Sequence, residues 1–156
     1  MAVRQSEAVE REVRIAARPE TVFEFFTDPE KQVLWMGRRA ELDARPGGIY
    51  DVEINDQSRA RGAFVEVEAP NRVVFTFGWE GQQEGGEGVH AVPPGSTRVE
   101  VTLEPQADGT LVRLRHFDLP EQAREMHGQG WQLYLDRLAI AALGGDPGPD
   151  PNLTAQ

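Results

Sequence analysis

The hydrophobic period of this chain changes near residue 120, and that change restricts the folds open to it. Upstream, most segments alternate apolar and polar residues. Downstream, apolar residues recur at helical spacing as far as Leu143. A period of two makes strands with one buried face. VEREVRI at 9–15 places Val9, Val13 and Ile15 with Arg11, and Glu10, Glu12 and Arg14 opposite. IYDVEI at 49–54 sets Tyr50, Val52 and Ile54 against Asp51 and Glu53. Residues 60–68 set Ala63, Val65 and Val67 against Phe64, Glu66 and Glu68. RVVFTFGW at 72–79 puts Val73, Phe75, Phe77 and Trp79 on one side. Val99, Val101 and Leu103 face inward from 97–104, and Val112, Leu114 and His116 share a face in 110–117. Residues 39–44 form a weaker strand.

Pro46-Gly47-Gly48, Pro70-Asn71 and Asp108-Gly109 are turn signals. Connections this short imply antiparallel pairing. Two short helices interrupt the strands early. PETVFEFF at 19–26 has Pro in its first turn, although Arg18 is a poor N-cap. Asp28-Pro29 opens a second helix, expected to run to about Trp35.

The last element is the only one long enough to cover a sheet. At 100° per residue, His127, Trp131, Tyr134, Leu135, Leu138, Ala141 and Ala142 fall on one arc. Gly128 and Gly130 interrupt it, each at about 1 kcal/mol relative to Ala. They either reflect tolerated weak propensity or give room, with Gly130 beside Trp131 admitting a neighbouring element. A twisted sheet around one amphipathic helix leaves a space suited to a small molecule.

Composition narrows the functions. The net charge of −10 disfavours general binding to nucleic acid or an anionic membrane surface. With no cysteine, disulfides, thiolate metal sites and cysteine nucleophiles are excluded. No apolar run is long enough for a transmembrane helix, and the N-terminus lacks a signal-peptide core, so a cytoplasmic protein is expected. The single Lys among the basic residues points to a GC-rich bacterial genome. His90, His116 and His127 lack ligand spacing, so no metal is expected, and no cofactor either. Gly86–Ala91 formally resembles a dinucleotide motif, but Pro93-Pro94 follow where the motif requires a helix.

Six motifs in order resemble the START-like helix-grip (SRPBCC) superfamily, in the branch similar to the C-terminal domain of the heat-shock-protein-90 ATPase activator. They are PETVFEFFTDPEKQVLWMG at 19–37, PGGIYDVEI at 46–54, RGAFVEVEAPNRVVFTFGWE at 61–80, STRVEVTLEP at 96–105, DGTLVRLRHFDLP at 108–120 and GQGWQLYLDRLA at 128–139. The resemblance implies an α+β fold: a curved antiparallel sheet of about six or seven strands wrapped around a long C-terminal helix, with two short helices after the first strand. It covers a single domain over 8–143, with 1–7 and 145–156 as flexible termini. Fold does not settle activity, because this superfamily includes carriers, receptors, cyclases and co-chaperone domains. Arg18 stands where the family more often has a small hydroxyl residue, and the separate N-terminal domain of the eukaryotic activator is missing.

Three readings follow. The favoured one is a protein that binds a small, apolar or aromatic molecule between sheet and helix. Its candidate lining is aromatic at Trp35, Tyr50, Phe75, Phe77, Trp79, Trp131 and Tyr134. Val101, Leu114, Leu135 and Leu138 complete the apolar wall, with His116 and His127 facing it. The two histidines and Tyr134 would together orient a polar group on the ligand. The second reading is a cyclase-, aromatase- or hydrolase-type enzyme using cavity His and Tyr groups; binding without turnover is preferred to it. The third is a co-chaperone-like interaction module; a chaperone partner is disfavoured and a homodimer is compatible. Residues 80–96, rich in Gly, Gln and Pro, are expected to form a mobile lid at the pocket entrance. The tail from about residue 145 has no apolar periodicity and is expected to be unpacked and dispensable.

Overall fold

Each alternating segment becomes a strand because its apolar face can be buried only in common with its neighbours. The computed structural model describes residues 8–80 and 92–152. In chain order the elements are β1 (Val9–Ile15), α1 (Pro19–Thr27), α2 (Pro29–Gln32), β2 (Arg39–Leu42) and β3 (Ile49–Glu53), then β4 (Arg59–Glu68), β5 (Arg72–Phe77), β6 (Trp79–Glu80), β7 (Thr97–Gln106), β8 (Gly109–Phe117) and α3 (Glu121–Ala141). The sheet order is β1-β8-β7-β5-β4-β3-β2, with β6 added against β4. The described pairings are all antiparallel. This is the α+β helix-grip architecture. Among the described residues the sheet has eight strands, where about six or seven were expected. The chain turns at Gly78, and Trp79–Glu80 pairs with Arg59 and Ala60 as a separate short strand.

The short helices obey local rules. Pro19 occupies the first turn of α1, and Arg18 makes no side-chain cap. Val22, Phe23, Phe25 and Phe26 are buried, so α1 sits apolar side down against β7 and β8. The Asp28 carboxylate accepts a hydrogen bond from the Glu30 N–H at the start of α2. That helix stops at Gln32, short of Trp35. Trp35 is instead fixed by donating its indole N–H to the Phe25 carbonyl at 2.8 Å.

A register shift between Phe64 and Glu66 corrects the simple alternation expected for β4. The extra residue lets Phe64 and Val67, three apart, both reach the core, and leaves Val65 exposed. The outer face carries cross-strand ion pairs such as Arg113–Glu12 at 2.7 Å, exposed and individually of small energetic value.

Two glycines have separable roles. A Cβ at Gly78 would overlap the Pro93 carbonyl, so close backbone passage requires glycine there. In α3, Gly128 accommodates the Arg11 guanidinium, whereas Gly130 faces open space. The close approach expected at Gly130 thus occurs at Gly128.

The tail departs from the expectation of an unpacked segment. Arg137 is buried and donates from Nε to the Trp35 carbonyl at 2.9 Å. Its Nη groups bond the Pro147, Gly148 and Pro149 carbonyls at 3.1–3.2 Å. Asp150 is also buried. It accepts from the Gly37 N–H at 2.9 Å, the Tyr134 hydroxyl at 3.0 Å and the Asn152 N–H at 2.8 Å. Asn55 closes the contact by donating to the Asn152 carbonyl at 2.8 Å. The segment has no hydrophobic period because side-chain hydrogen bonds to its backbone hold it. The expected lid falls largely on residues 81–91, outside the described residues. Val92, which follows those residues, accepts a hydrogen bond from the Trp79 N–H at 2.7 Å.

Gly130→Ala should raise stability by about 0.5–1 kcal/mol, since the added methyl meets nothing and the helix gains propensity. A melting temperature raised by about 1–4 °C checks this. Asp150→Ala should cost about 2–3 kcal/mol by leaving the Gly37 N–H and the Tyr134 hydroxyl unpaired in a buried setting. A denaturant midpoint equal to that of the parent would show that the tail contributes nothing.

Candidate functional site

The inner face of the sheet meets α3 through large side chains. The backbone of α3 approaches β1 most closely, and aromatic and imidazole rings stand between it and the other strands. The candidate residues are all drawn into this layer. Trp35, Tyr50, Phe75, Phe77, Val101, Leu114, Trp131, Tyr134, Leu135 and Leu138 belong to the main core. Trp79 packs at its margin, and His116 and His127 are buried within the layer. The structure divides them into three groups.

The first group surrounds the histidines. Trp131, on α3, donates its indole N–H to His116 Nδ1 at 2.9 Å. The Thr97 hydroxyl donates to the Phe77 carbonyl at 2.7 Å and accepts from His116 Nε2, also at 2.7 Å. Trp79 donates to His127 Nε2 at 3.0 Å, so His127 carries its proton on Nδ1 and gives it to the Ala123 carbonyl at 2.8 Å. The two imidazoles meet edge to face with centroids 5.7 Å apart. Each ring nitrogen has one partner, and each indole requires a neutral imidazole as acceptor. Burial first, then the neighbouring His127, brings the pKa of His116 down to about 3. Burial also lowers that of His127, opposed by its bond to Ala123.

The second group surrounds Tyr50 on β3. Its ring stacks on Phe75 at 4.1 Å and meets Phe64 edge on at 5.8 Å. Tyr50 is 2% exposed. Burial, then the Asp51 charge and the nearby Tyr134, push its pKa upward, so the phenol stays protonated. The third group joins Trp35, Phe26 and Tyr134, with Trp35 edge on to both rings. Tyr134 bonds Asp150 and receives a hydrogen bond from Asn152 Nδ2 at 3.0 Å.

The expected trio of His116, His127 and Tyr134 therefore uses its polar atoms in separate places. The histidines bond tryptophans, Thr97 and the backbone, while Tyr134 bonds the tail. Seven residues along a helix also separate His127 from Tyr134 by about 10 Å of rise. Sequence reasoning missed Arg137 and Asp150. A signal existed: the Pro- and Gly-rich tail has carbonyls lacking regular partners, and Arg137 is the cation nearest to it on α3.

A polar cleft of about 250 Å³ lies elsewhere, lined by Arg38, Glu53, Asn55, Arg59 and Glu80 among others. Its charges are largely neutralised internally. Arg38 and Arg59 each reach Glu53 at 2.7–2.8 Å, and the Arg38 hydrogen bond leads in lowering the pKa of Glu53. Among the described residues no cluster of His, Asp and Glu could hold a metal. No described helix is long and apolar enough to cross a membrane.

The low pKa of His116 has a signed consequence. The unfolded ring takes up its proton near pH 6.5 and the folded ring near 3. The neutral ring's contribution is complete above pH 6.5 and is lost progressively as pH falls from 6.5 toward 3. In an NMR titration the His116 ring signals should stay flat from pH 8 to about pH 4. A midpoint near 6.5 would contradict the Trp131–His116 bond.

No curated protein is significantly similar to the chain. Solved structures are. An AHSA1-like protein from Rhizobium etli shares 43% identity, with 96% of this chain and 89% of that one covered and a TM-score of 0.70. CalU16 from Micromonospora echinospora shares 28% identity over 94% of this chain and 78% of its own, also with a TM-score of 0.70. DynU16, a protein of the dynemicin biosynthetic locus, shares 23% identity and the fold, with a TM-score of 0.75 over 90% of this chain and 49% of its own. The family described as Activator of Hsp90 ATPase homolog 1-like protein matches residues 16–142. That match takes in most of the helix-grip domain, from the end of β1 through α3, and the chain belongs to this family.

Proposed function

We propose that this protein binds a small, uncharged, largely aromatic molecule between the sheet and α3, without turning it over. The observation that carries this reading is the neutrality of an aromatic wall. Phe75, Phe77, Tyr50, Trp79 and Trp131 supply broad ring surfaces. The ionisable groups among them are held uncharged: the histidines deprotonated and the tyrosines protonated. Such a wall favours an apolar guest and penalises an ionic one. General acid–base chemistry needs a group free to give or take a proton at a substrate. The histidine nitrogens are already occupied, which supports binding over catalysis.

Nile red, an uncharged fluorescent dye, should bind the parent protein with a blue-shifted emission. Val101→Phe, which adds volume to the wall at a fully buried position, should weaken that binding at least tenfold while the chain stays folded. Absence of dye binding by the parent overturns the reading. Trp131→Ala should cost about 3–5 kcal/mol, because it removes a packed ring and leaves His116 Nδ1 unpaired. A loss below about 1.5 kcal/mol would mean that the ring packs little of the core.

A second reading has its own observation. Met126, Leu133 and Ile140 are exposed at seven-residue spacing along the outer side of α3. This apolar row could receive a protein partner, in line with the chaperone activator for which the family is described. An unchanged chaperone ATPase rate at saturating concentration would remove it.

A further inference from the structure

We infer that the groove between the turn after α2 and the C-terminal half of α3 is a docking site for an extended, acidic, proline-rich segment of a partner protein, and that the chain's own tail fills it in cis. The inference goes beyond the binding proposed for the aromatic layer and does not depend on it. The donors of the groove are set by the domain rather than by the tail. Gly37 has φ +89°, and a Cβ there would stand 2.5 Å from Val52 Cγ1, so only glycine can aim this N–H at Asp150. Arg137 is buried and held through Nε by the Trp35 carbonyl, which leaves both Nη groups to the groove. Asn55 accepts the Gln57 N–H on Oδ1 at 2.7 Å, and its Nδ2 therefore points to the tail.

The occupant shows what the groove selects. Arg137 takes three successive carbonyls, those of Pro147, Gly148 and Pro149. Prolines at alternate positions keep such carbonyls out of regular structure and so available. Gly148, at φ +82°, turns the chain and donates its N–H to the Asp146 carboxylate at 2.8 Å. The Asp150 carboxylate then accepts from the Gly37 N–H and the Tyr134 hydroxyl. Asn152 donates its side-chain amide to Tyr134 and offers its carbonyl to Asn55. The fitting partner segment thus has glycine two residues before an aspartate and asparagine two residues after it.

Two features make the occupant exchangeable. Residues 143–152 lie outside the apolar clusters of the core, so the tail is held by hydrogen bonds, which water can replace at small net cost. The tether at 143–146 is exposed, and Gly144, at φ +86°, has nothing packed on its Cβ side. A tether this short presents the tail at an effective concentration on the order of millimolar. A partner segment therefore wins the groove when contacts elsewhere raise its own local concentration.

The test titrates fluorescein-labelled GDPGPDPN, the sequence of residues 145–152, into the parent and into the full chain carrying Asp150→Ala. The variant, whose own tail lacks the carboxylate, should bind the peptide at least tenfold more tightly than the parent does. Saturating peptide should return its melting temperature most of the way to that of the parent. A peptide carrying Asp150→Asn should bind at least tenfold more weakly, having lost the charge-assisted bonds from Gly37 and Tyr134. Asn55→Ala, added to the protein, should weaken the unaltered peptide about 2- to 10-fold, the ratio expected of one net hydrogen bond. If Asp150→Ala does not fold, the parent chain with a protease site placed between Gly144 and Gly145 is cut after folding, and its released tail should exchange with the labelled peptide. Three outcomes overturn the inference: no saturable binding by the variant or the cut chain, equal binding of the Asp and Asn peptides, or an affinity unchanged by Asn55→Ala.

Discussion

The docking of α3 onto the sheet depends on two indole-to-imidazole hydrogen bonds. Trp131 on the helix donates to His116 on β8, and Trp79 on β6 donates to His127 on the helix. The donors come from opposite sides of the interface, so the bonds cross it in both directions. Each fixes a tautomer, since an indole can only donate and the accepting nitrogen must be bare. The other nitrogen of each ring then donates into the protein, to Thr97 or to Ala123. A purely apolar interface could slide along the sheet with little penalty. These bonds are directional, and a small displacement would leave buried nitrogens unpaired.

The far end of α3 is held by a different device. The tail contains Pro147, Pro149 and Pro151, which have no N–H to give and cannot build regular structure. Their carbonyls remain strong acceptors, and one guanidinium with five N–H groups can gather several at once. Arg137 does so, and Asp150 supplies the reverse polarity toward Gly37 and Tyr134. The tail thereby bridges the turn after α2 and the C-terminal half of α3, two parts of the chain that the sheet does not join directly.

The two devices act on the site in the same sense. Both consume the polar capacity of residues that line the sheet–helix layer, and both leave the ionisable rings uncharged. Acidic groups such as Glu66 and Glu12 alternate onto the outer face, where cross-strand arginines meet them, while the buried Asp51 and Glu53 are paired by Arg38, Arg59 and Arg61. The inside is thus neutral and aromatic although the chain as a whole carries a charge of −10.

The sequence by itself determined the order of the main elements, the antiparallel pairing and, outside β4, which apolar residues face inward. Period, turn residues and chain length are local, and Val73, Phe75 and Phe77 or Val99, Val101 and Leu103 can bury together in only one way. It also marked the aromatic and histidine set that forms the helix–sheet layer. Tertiary structure alone decided how those residues pair. Nothing local says that Trp131 meets His116, since they lie on different elements and the bond depends on helix rotation and tilt. Nor does spacing reveal that an extra residue in β4 turns Phe64 and Val67 to the same side, that Gly128 rather than Gly130 admits a neighbour, or that Arg137 and Asp150 order a tail without hydrophobic residues in its docked part. Hydrophobic period reports burial, whereas hydrogen-bond partnership is set by distances of a few tenths of an ångström that arise only once the whole layer has packed.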